Sequence, residues 1–250
     1  MNFFSLFKRN IIYKFKKKTL VDTDNVFKAS LDELFHFYGS DKANIFKKTN
    51  KQGHGYSDFY TNQLDELKKQ KINILEIGSY AGASAAAFIK YFPKANVFCF
   101  DINISNFEFK SKKMHVFGID INNKNKSQKI LTKIFKQHQF SQFDLIIDDG
   151  SHNLKDILFS LNFFFQYLKE EGTFIIEDFK HPNYYKYNRN INHILVDEFL
   201  KNIVDKKLSN SSMFNDNEQK YLMNSIKKID VKKGNLSDSD ICFIKKKKIK

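Results

Sequence analysis

Two short segments hold most of the chemistry legible in this chain. Phe143-Asp-Leu-Ile-Ile-Asp-Asp-Gly-Ser-His152 reads as an apolar strand ending in Asp148 and Asp149, with His152 three residues on. Twenty-eight residues after Asp149, the run Thr173-Phe-Ile-Ile176 is followed by Glu177-Asp178. In an open α/β sheet the carboxyl ends of neighbouring strands face one crevice, so these groups are expected to converge. Carboxylates crowded together repel one another unless a cation lies among them, and an all-oxygen donor set suits a hard ion, Mg²⁺ or Mn²⁺. Adjacent residues inside a strand point to opposite faces, but at its end the pleat no longer holds, so Glu177 and Asp178 can both turn to one ion. His152 has a neutral form available near pH 7 and can accept a proton from a hydroxyl whose developing charge the metal stabilises. The plainer alternative is that Asp149 or Ser151 caps the helix starting near Leu154. That alternative leaves Glu177-Asp178 unexplained.

A second constellation lies upstream. Ile74-Leu-Glu-Ile-Gly-Ser-Tyr-Ala-Gly82 runs from a strand directly into the Ala-rich stretch Ala83–Tyr91. Gly78 and Gly82 permit a tight turn and a close ligand, and the helix start offers free N–H groups. Nineteen residues after Gly82, the strand Val97-Phe-Cys-Phe ends in Asp101, where a doubly wound fold binds ribose hydroxyls. A dinucleotide fingerprint is excluded, because the position two after Gly78 is Tyr80 and the close approach to a pyrophosphate is lost. The third strand ends in Gly118-Ile-Asp120, and Asp120 is either a further ligand contact or a loop cap.

The elements that must position these residues follow from alternation. Apolar runs at 72–77, 96–100, 114–119, 143–147 and 173–176 alternate with helical stretches at 83–91, 126–137 and 154–168, the pattern of βαβ units in a mostly parallel, doubly wound sheet. Lys169-Glu-Glu-Gly172 reads as a helix stop. Beyond Asp178, helices are expected over 190–204 and 217–226. Residues 227–232 and 241–244, separated by Gly234-Asn235, read as an antiparallel hairpin at the sheet edge. Residues 20–70 read as a helical cap ahead of the sheet. No linker and no repeat interrupts the chain, so a single domain over 20–250 with a basic tail at 1–19 is the economical organisation.

At 250 residues, with 42% apolar and 16% aromatic residues and only 9 Gly and 2 Pro, the chain can bury a core without disulfides or structural metals. Its net charge of +14 is concentrated at the ends. Residues 1–18 carry Lys8, Arg9, Lys14, Lys16, Lys17 and Lys18, residues 244–250 carry five more lysines, and neither stretch has an acid. Met1–Phe7 is apolar and precedes the charge, the wrong order for a secretory signal, and no run is long enough to cross a membrane. The interleaved Phe and Lys of residues 3–18 fit a peripheral helix on an anionic leaflet; the bland alternative is a composition bias with solvated tails. Cys99 and Cys242 sit in apolar runs and read as buried free thiols of a reducing compartment.

Taken together, the acid-x-Gly-x-x-x-Gly turn, Asp101 and Asp120 resemble class I S-adenosylmethionine (SAM)-dependent methyltransferases. With Asp148–His152, Glu177-Asp178, Tyr38-Gly-Ser-Asp-Lys42, His54-Gly-Tyr56 and Tyr60, the chain resembles the metal-dependent sugar O-methyltransferases of macrolide biosynthesis. The resemblance covers residues 36–180. It implies a Rossmann-like fold; cofactor contacts from Glu76, Gly78, Ser79, Tyr80, Gly82, Asp101, Asp120 and Asp148; a lid of Asp41, Lys42, His54 and Tyr56, with Lys42 and Tyr56 reaching the cofactor; Asp149, Glu177 and Asp178 as metal ligands; and His152 as the base. It further implies a cytoplasmic enzyme methylating a sugar, sugar nucleotide or surface-polysaccharide precursor, with a phosphate-like or phenolic acceptor as the alternative. No nucleic-acid partner is expected: the Asn/Asp-Pro-Pro-Tyr/Phe motif is absent and arginines are few. Residues 181–240 match no known pattern and are expected to shape the acceptor pocket. The oligomeric state is open, a homodimer being one candidate.

Overall fold

The computed structural model describes residues 3–26, 29–180 and 193–248. These form two compact units, residues 1–131 with 234–237 and residues 132–233 with 238–250. The chain is α/β, as expected, with seven main strands among the described residues.

In the first unit, helix α1 (Phe3–Phe15), α2 (Leu31–Tyr38) and α3 (Ser57–Leu64) precede strand β1 (Asn73–Ile77), α4 (Ala83–Tyr91), β2 (Asn96–Asp101) and β3 (Met114–Gly118). β2 pairs in parallel with β1, Asn73 opposite Asn96, and with β3, Val97 opposite Met114. Every residue of β1 is buried, so β1 reads as one apolar run broken only by Asn73 and Glu76. The expected cap is present. Ser30 and Glu33 form a reciprocal capping box at the start of α2, Gly39 (φ 78°) ends it, and Phe35 sits edge-on to Tyr60 and Phe88. α1 shows that the N-terminal stretch is an ordered helix.

Helix α5 (Lys124–His138) leads into the second unit, which contains β4 (Phe143–Asp148), α6 (Leu154–Phe164), β5 (Leu168–Glu177), α7 (Val196–Val204), α8 (Asp216–Ser225), β6 (Ile226–Lys233) and β7 (Asp240–Lys246). β4 and β5 are parallel, Leu145 opposite Thr173, whereas β7 is antiparallel to both β5 and β6. The C-terminal hairpin is therefore observed where the turn signal placed it. Of the helix expected over 190–204, residues 196–204 are helical and 190–192 lie outside the described residues.

One expected boundary is wrong. The helix over 154–168 ends at Phe164, and after a 3₁₀ turn the chain enters β5 at Leu168, so Lys169–Gly172 is strand. Leu168 is buried opposite Phe143, and the register shifts between Phe143 and Leu145. Glu171 takes φ 56°, and a Cβ on Gly172 would lie 2.8 Å from the Lys169 carbonyl oxygen. The glycine serves this irregularity in the strand, which local sequence cannot distinguish from a helix stop.

Candidate functional site

The glycine turn follows β1. Gly78 (φ 87°) donates its N–H to the Phe100 carbonyl at 2.8 Å, and Gly82 (φ 79°) donates to Ser79 O at 2.7 Å. A Cβ on Gly82 would lie 2.6 Å from the Phe107 ring, so backbone conformation and packing both demand glycine there. Glu76 is buried, and Ser84 at the start of α4 donates its hydroxyl to Glu76 Oε1 at 2.5 Å. Ser79 is buried, with its hydroxyl 3.4 Å from the Glu76 carbonyl oxygen. Tyr80 (φ 44°) points outward and is 63% exposed, while its N–H donates to Asp101 Oδ2 at 2.8 Å. Asp101 Oδ1 accepts from Asn103 N–H at 2.5 Å.

Asp101 thus ties the turn to the segment after β2. Burial raises its pKa, opposed by these two N–H donors and by the charge of Arg9. Arg9 donates from Nη1 to the Ile102 carbonyl at 3.1 Å. Sequence reasoning missed this role for Arg9, because 93 residues separate the pair. Asp120 accepts from Asn122 N–H at 3.1 Å on Oδ1, the loop-capping arrangement.

The lid residues form a local ladder. His54 N–H donates to Asp41 O at 2.7 Å, Tyr56 N–H to Lys42 O at 2.9 Å and Gly55 N–H to Ala43 O at 3.2 Å. Lys42 and Tyr56 are fully buried, and the His54 and Tyr56 rings lie 5.3 Å apart. Asp32 Oδ1 clamps both strands of the ladder, accepting from Asn44 N–H and Ser57 Oγ at 2.7 Å each. Asn235, from the tip of the C-terminal hairpin, donates its N–H to the His54 carbonyl at 2.9 Å. Neither Asp32 nor Asn235 carries a motif that could have announced it.

In the second unit the strand ends bring three groups together. Asp149, His152 and Asp178 each present a ligand atom within 4.8 Å of the other two. His152 Nε2 lies 3.9 Å from Asp149 Oδ1. His152 and Asp178 both adopt left-handed backbone, φ 53° and 52°, a conformation costing on the order of 1–3 kcal/mol at residues with a Cβ. Asn153, with its side chain accepting from Lys155 N–H, caps α6. Ser151 instead donates to Asp156 Oδ2 at 2.6 Å, so neither Asp149 nor Ser151 is the cap.

Glu177 is not part of this trio. It is the last residue of β5, buried, and held in the ladder opposite Ile241, whereas Asp178 leaves the strand, its N–H bonded to the Asp240 carbonyl at 2.7 Å. The expectation that both adjacent acids turn the same way is met by Asp178 alone. Asp148 is buried with Oδ1 accepting from Gly150 N–H at 3.2 Å. Burial, reinforced by the charges of Asp149 and Asp156, pushes its pKa up to about 7. Ligands about 2.1 Å from one ion stand roughly 3–4 Å apart, so Asp149, His152 and Asp178, with ligand atoms within 4.8 Å of one another, would close in slightly to share a single divalent cation.

Fold and site together define a class. Residues 75–179 match the model of a family described as a methyltransferase domain. Among curated proteins, the chain is 30% identical over 132 residues to L-olivosyl-oleandolide 3-O-methyltransferase of Streptomyces antibioticus and 25% identical over 135 residues to mycinamicin VI 2''-O-methyltransferase of Micromonospora griseorubida. Each alignment takes in 50% of this chain but only 32% and 31% of the relative, so the chain spans about a third of the length of these relatives. A solved structure of the MycE methyltransferase from the mycinamycin pathway, in complex with Mg, SAH and mycinamycin VI, superposes with TM-score 0.67 at 19% identity, covering 88% of this chain and 55% of that one. This likeness shows the Rossmann-like fold.

Proposed function

We propose that the chain is a SAM-dependent, divalent-metal-dependent O-methyltransferase acting on a hydroxyl of a sugar, free, nucleotide-linked or within a glycan precursor. The observation that carries the reading is the Asp149–His152–Asp178 cluster at the ends of β4 and β5, within the residues that match the methyltransferase-domain model. The relatives' names point to O-methylation, and the MycE complex to Mg and SAH.

Asp149 and Asp178 would hold the cation, while Glu177 stays in the β5 ladder opposite Ile241. When bound, the cation supplies a lower acceptor-hydroxyl pKa, and the cofactor supplies an electrophilic methyl on a sulfonium. His152, whose ring lies beside the two carboxylates, takes the hydroxyl proton. A hard ion prefers oxygen, which leaves the imidazole for this task. The Gly78–Gly82 turn and the start of α4 present backbone N–H groups to the cofactor, and Asp101 holds its ribose, with Lys42 and Tyr56 closing over it.

The test is calorimetric titration of SAM and of Mg²⁺ into wild type, Asp149→Ala and His152→Ala, followed by methyl transfer to a panel of sugars, sugar nucleotides and phenols. Cofactor binding in all three proteins, metal binding lost only in Asp149→Ala, and transfer to sugars lost in both variants are expected. No cofactor binding to wild type overturns the reading. Loss of metal from His152→Ala makes the histidine a ligand.

A further inference from the structure

One face of helix α1 is bonded to the first unit. Arg9 donates to Ile102 O, Lys16 Nζ donates to Ser105 O and Asn106 O at 3.2 and 2.9 Å, and Tyr13 meets the Phe107 ring edge-on. A Cβ on Gly118 would lie 2.6 Å from Asn10 Oδ1, so Asn10 also packs inward. Leu6, Arg9, Asn10, Tyr13 and Lys16 thus form an inward stripe at helical spacing. Arg9 and Asn10 of this helix face the protein.

The apolar side faces away. Phe4, Phe7, Ile11 and Phe15 recur at spacings of three and four and are 77%, 58%, 40% and 85% exposed. At about 100° per residue, Lys8 falls along one edge of this stripe and Lys14 along the other, and both are exposed. A globular protein does not ordinarily leave Phe7, Ile11 and Phe15 of one helix exposed together, since each buried apolar side chain is worth about 1.5–3 kcal/mol.

We infer that α1 is a docking helix for an anionic lipid surface, its Phe stripe entering the headgroup region and Lys8 and Lys14 meeting the acidic headgroups. Charge decides the occupant. Residues 1–18 hold six basic residues and no acid, so pairing two copies through this stripe would align like charges with nothing to offset them. Phosphates of a nucleic acid would be met by the lysines alone and would leave the phenylalanines exposed. An anionic bilayer satisfies both features at once. The inward stripe bonds to residues 102–106, immediately after Asp101. A docked helix therefore sits beside the rim of the proposed cofactor site. The inference does not depend on what acceptor is methylated.

The experiment is vesicle flotation of the full chain with phosphatidylcholine alone and with phosphatidylcholine containing phosphatidylglycerol, at low and high salt, together with sedimentation velocity without lipid. Wild type is expected to float only with anionic vesicles, less so at high salt. The triple variant Phe7→Ser/Ile11→Ser/Phe15→Ser and, separately, Lys8→Glu/Lys14→Glu are each expected to lose about tenfold or more in vesicle affinity, with unchanged melting because all five positions are exposed. Wild type that ignores anionic vesicles, or binding that survives the charge reversal, overturns the inference. So does a wild-type dimer that the triple variant dissociates, which would assign the stripe to a second copy. Binding to poly(U) that the triple variant retains in full, without vesicle binding, would assign the lysines to nucleic acid.

Discussion

The glycine turn of the first unit and the carboxylate cluster of the second solve opposite problems. In the turn, polar groups are met within the chain: Asp101 takes the N–H groups of Tyr80 and Asn103, Glu76 takes the Ser84 hydroxyl, and Gly78 and Gly82 bond to neighbouring carbonyls. The turn's conformation is therefore fixed by bonds within the chain itself. The cluster crowds Asp149, His152 and Asp178 within 4.8 Å, two of them on left-handed backbone, beside a buried Asp148. In the proposed reading, a cation among these groups would offset the charge of the two carboxylates. The first region is satisfied by its own chain; the second is the one that the proposed cation would complete.

That contrast can be broken by experiment. The largest effect is expected at the cluster, where Asp149→Ala should remove metal binding and lower methyl transfer by roughly 10³-fold or more, measured by calorimetry and radiolabelled transfer. His152→Ala should lower transfer about 10²–10⁴-fold while metal binding persists. Equal metal affinity in wild type and Asp149→Ala would erase the distinction between the regions.

Next in size is a pH effect on stability. Asp148 ionises near pH 4 in the unfolded chain and at about 7 when folded. Its protonated form is therefore favoured by folding, a stabilisation fully present below about pH 4 and lost as pH rises through 7. In metal-free protein, Asp148→Asn should be little changed at pH 4 and more stable than wild type at pH 8, by up to about 4 kcal/mol, in denaturant melts.

Smaller effects are expected in the self-satisfied turn. Gly82→Ala must adopt φ 79° and meet Phe107, so a loss of about 1–3 kcal/mol in thermal stability is expected along with weaker cofactor binding. Ser84→Ala removes the donor to buried Glu76 Oε1 and should cost about 1–3 kcal/mol. Unchanged melting in both would show that the turn is not fixed by these bonds and contacts.

Much of this was legible from residue order. β1, α4 and β2, and the acids at their ends, follow local rules in which apolar alternation, a glycine turn and an acid at a strand terminus recur within about 30 residues. Helix α4 matches its expected limits, Ala83 to Tyr91. The error at Lys169–Gly172 has the same origin, since a Gly after polar residues looks alike at a helix stop and in an irregular strand. Only the pairing of Leu168 with Phe143 distinguishes them.

Residue types and spacing were enough to define the fold class, the glycine turn and the acids that gather at the ends of β4 and β5, because these depend on periodicity and on chemistry carried by neighbours in the chain. Which adjacent acid joins the cluster, Asp178 and not Glu177, depended on a ladder to Ile241 and a bond to Asp240, more than sixty residues away. The same holds for Asp32 and Asn235 bracing the lid, for Arg9 beside Asp101, and for the outward turn of the Phe stripe on α1. Each rests on a contact between segments far apart in the chain or on which face of an element is covered, and local order carries neither.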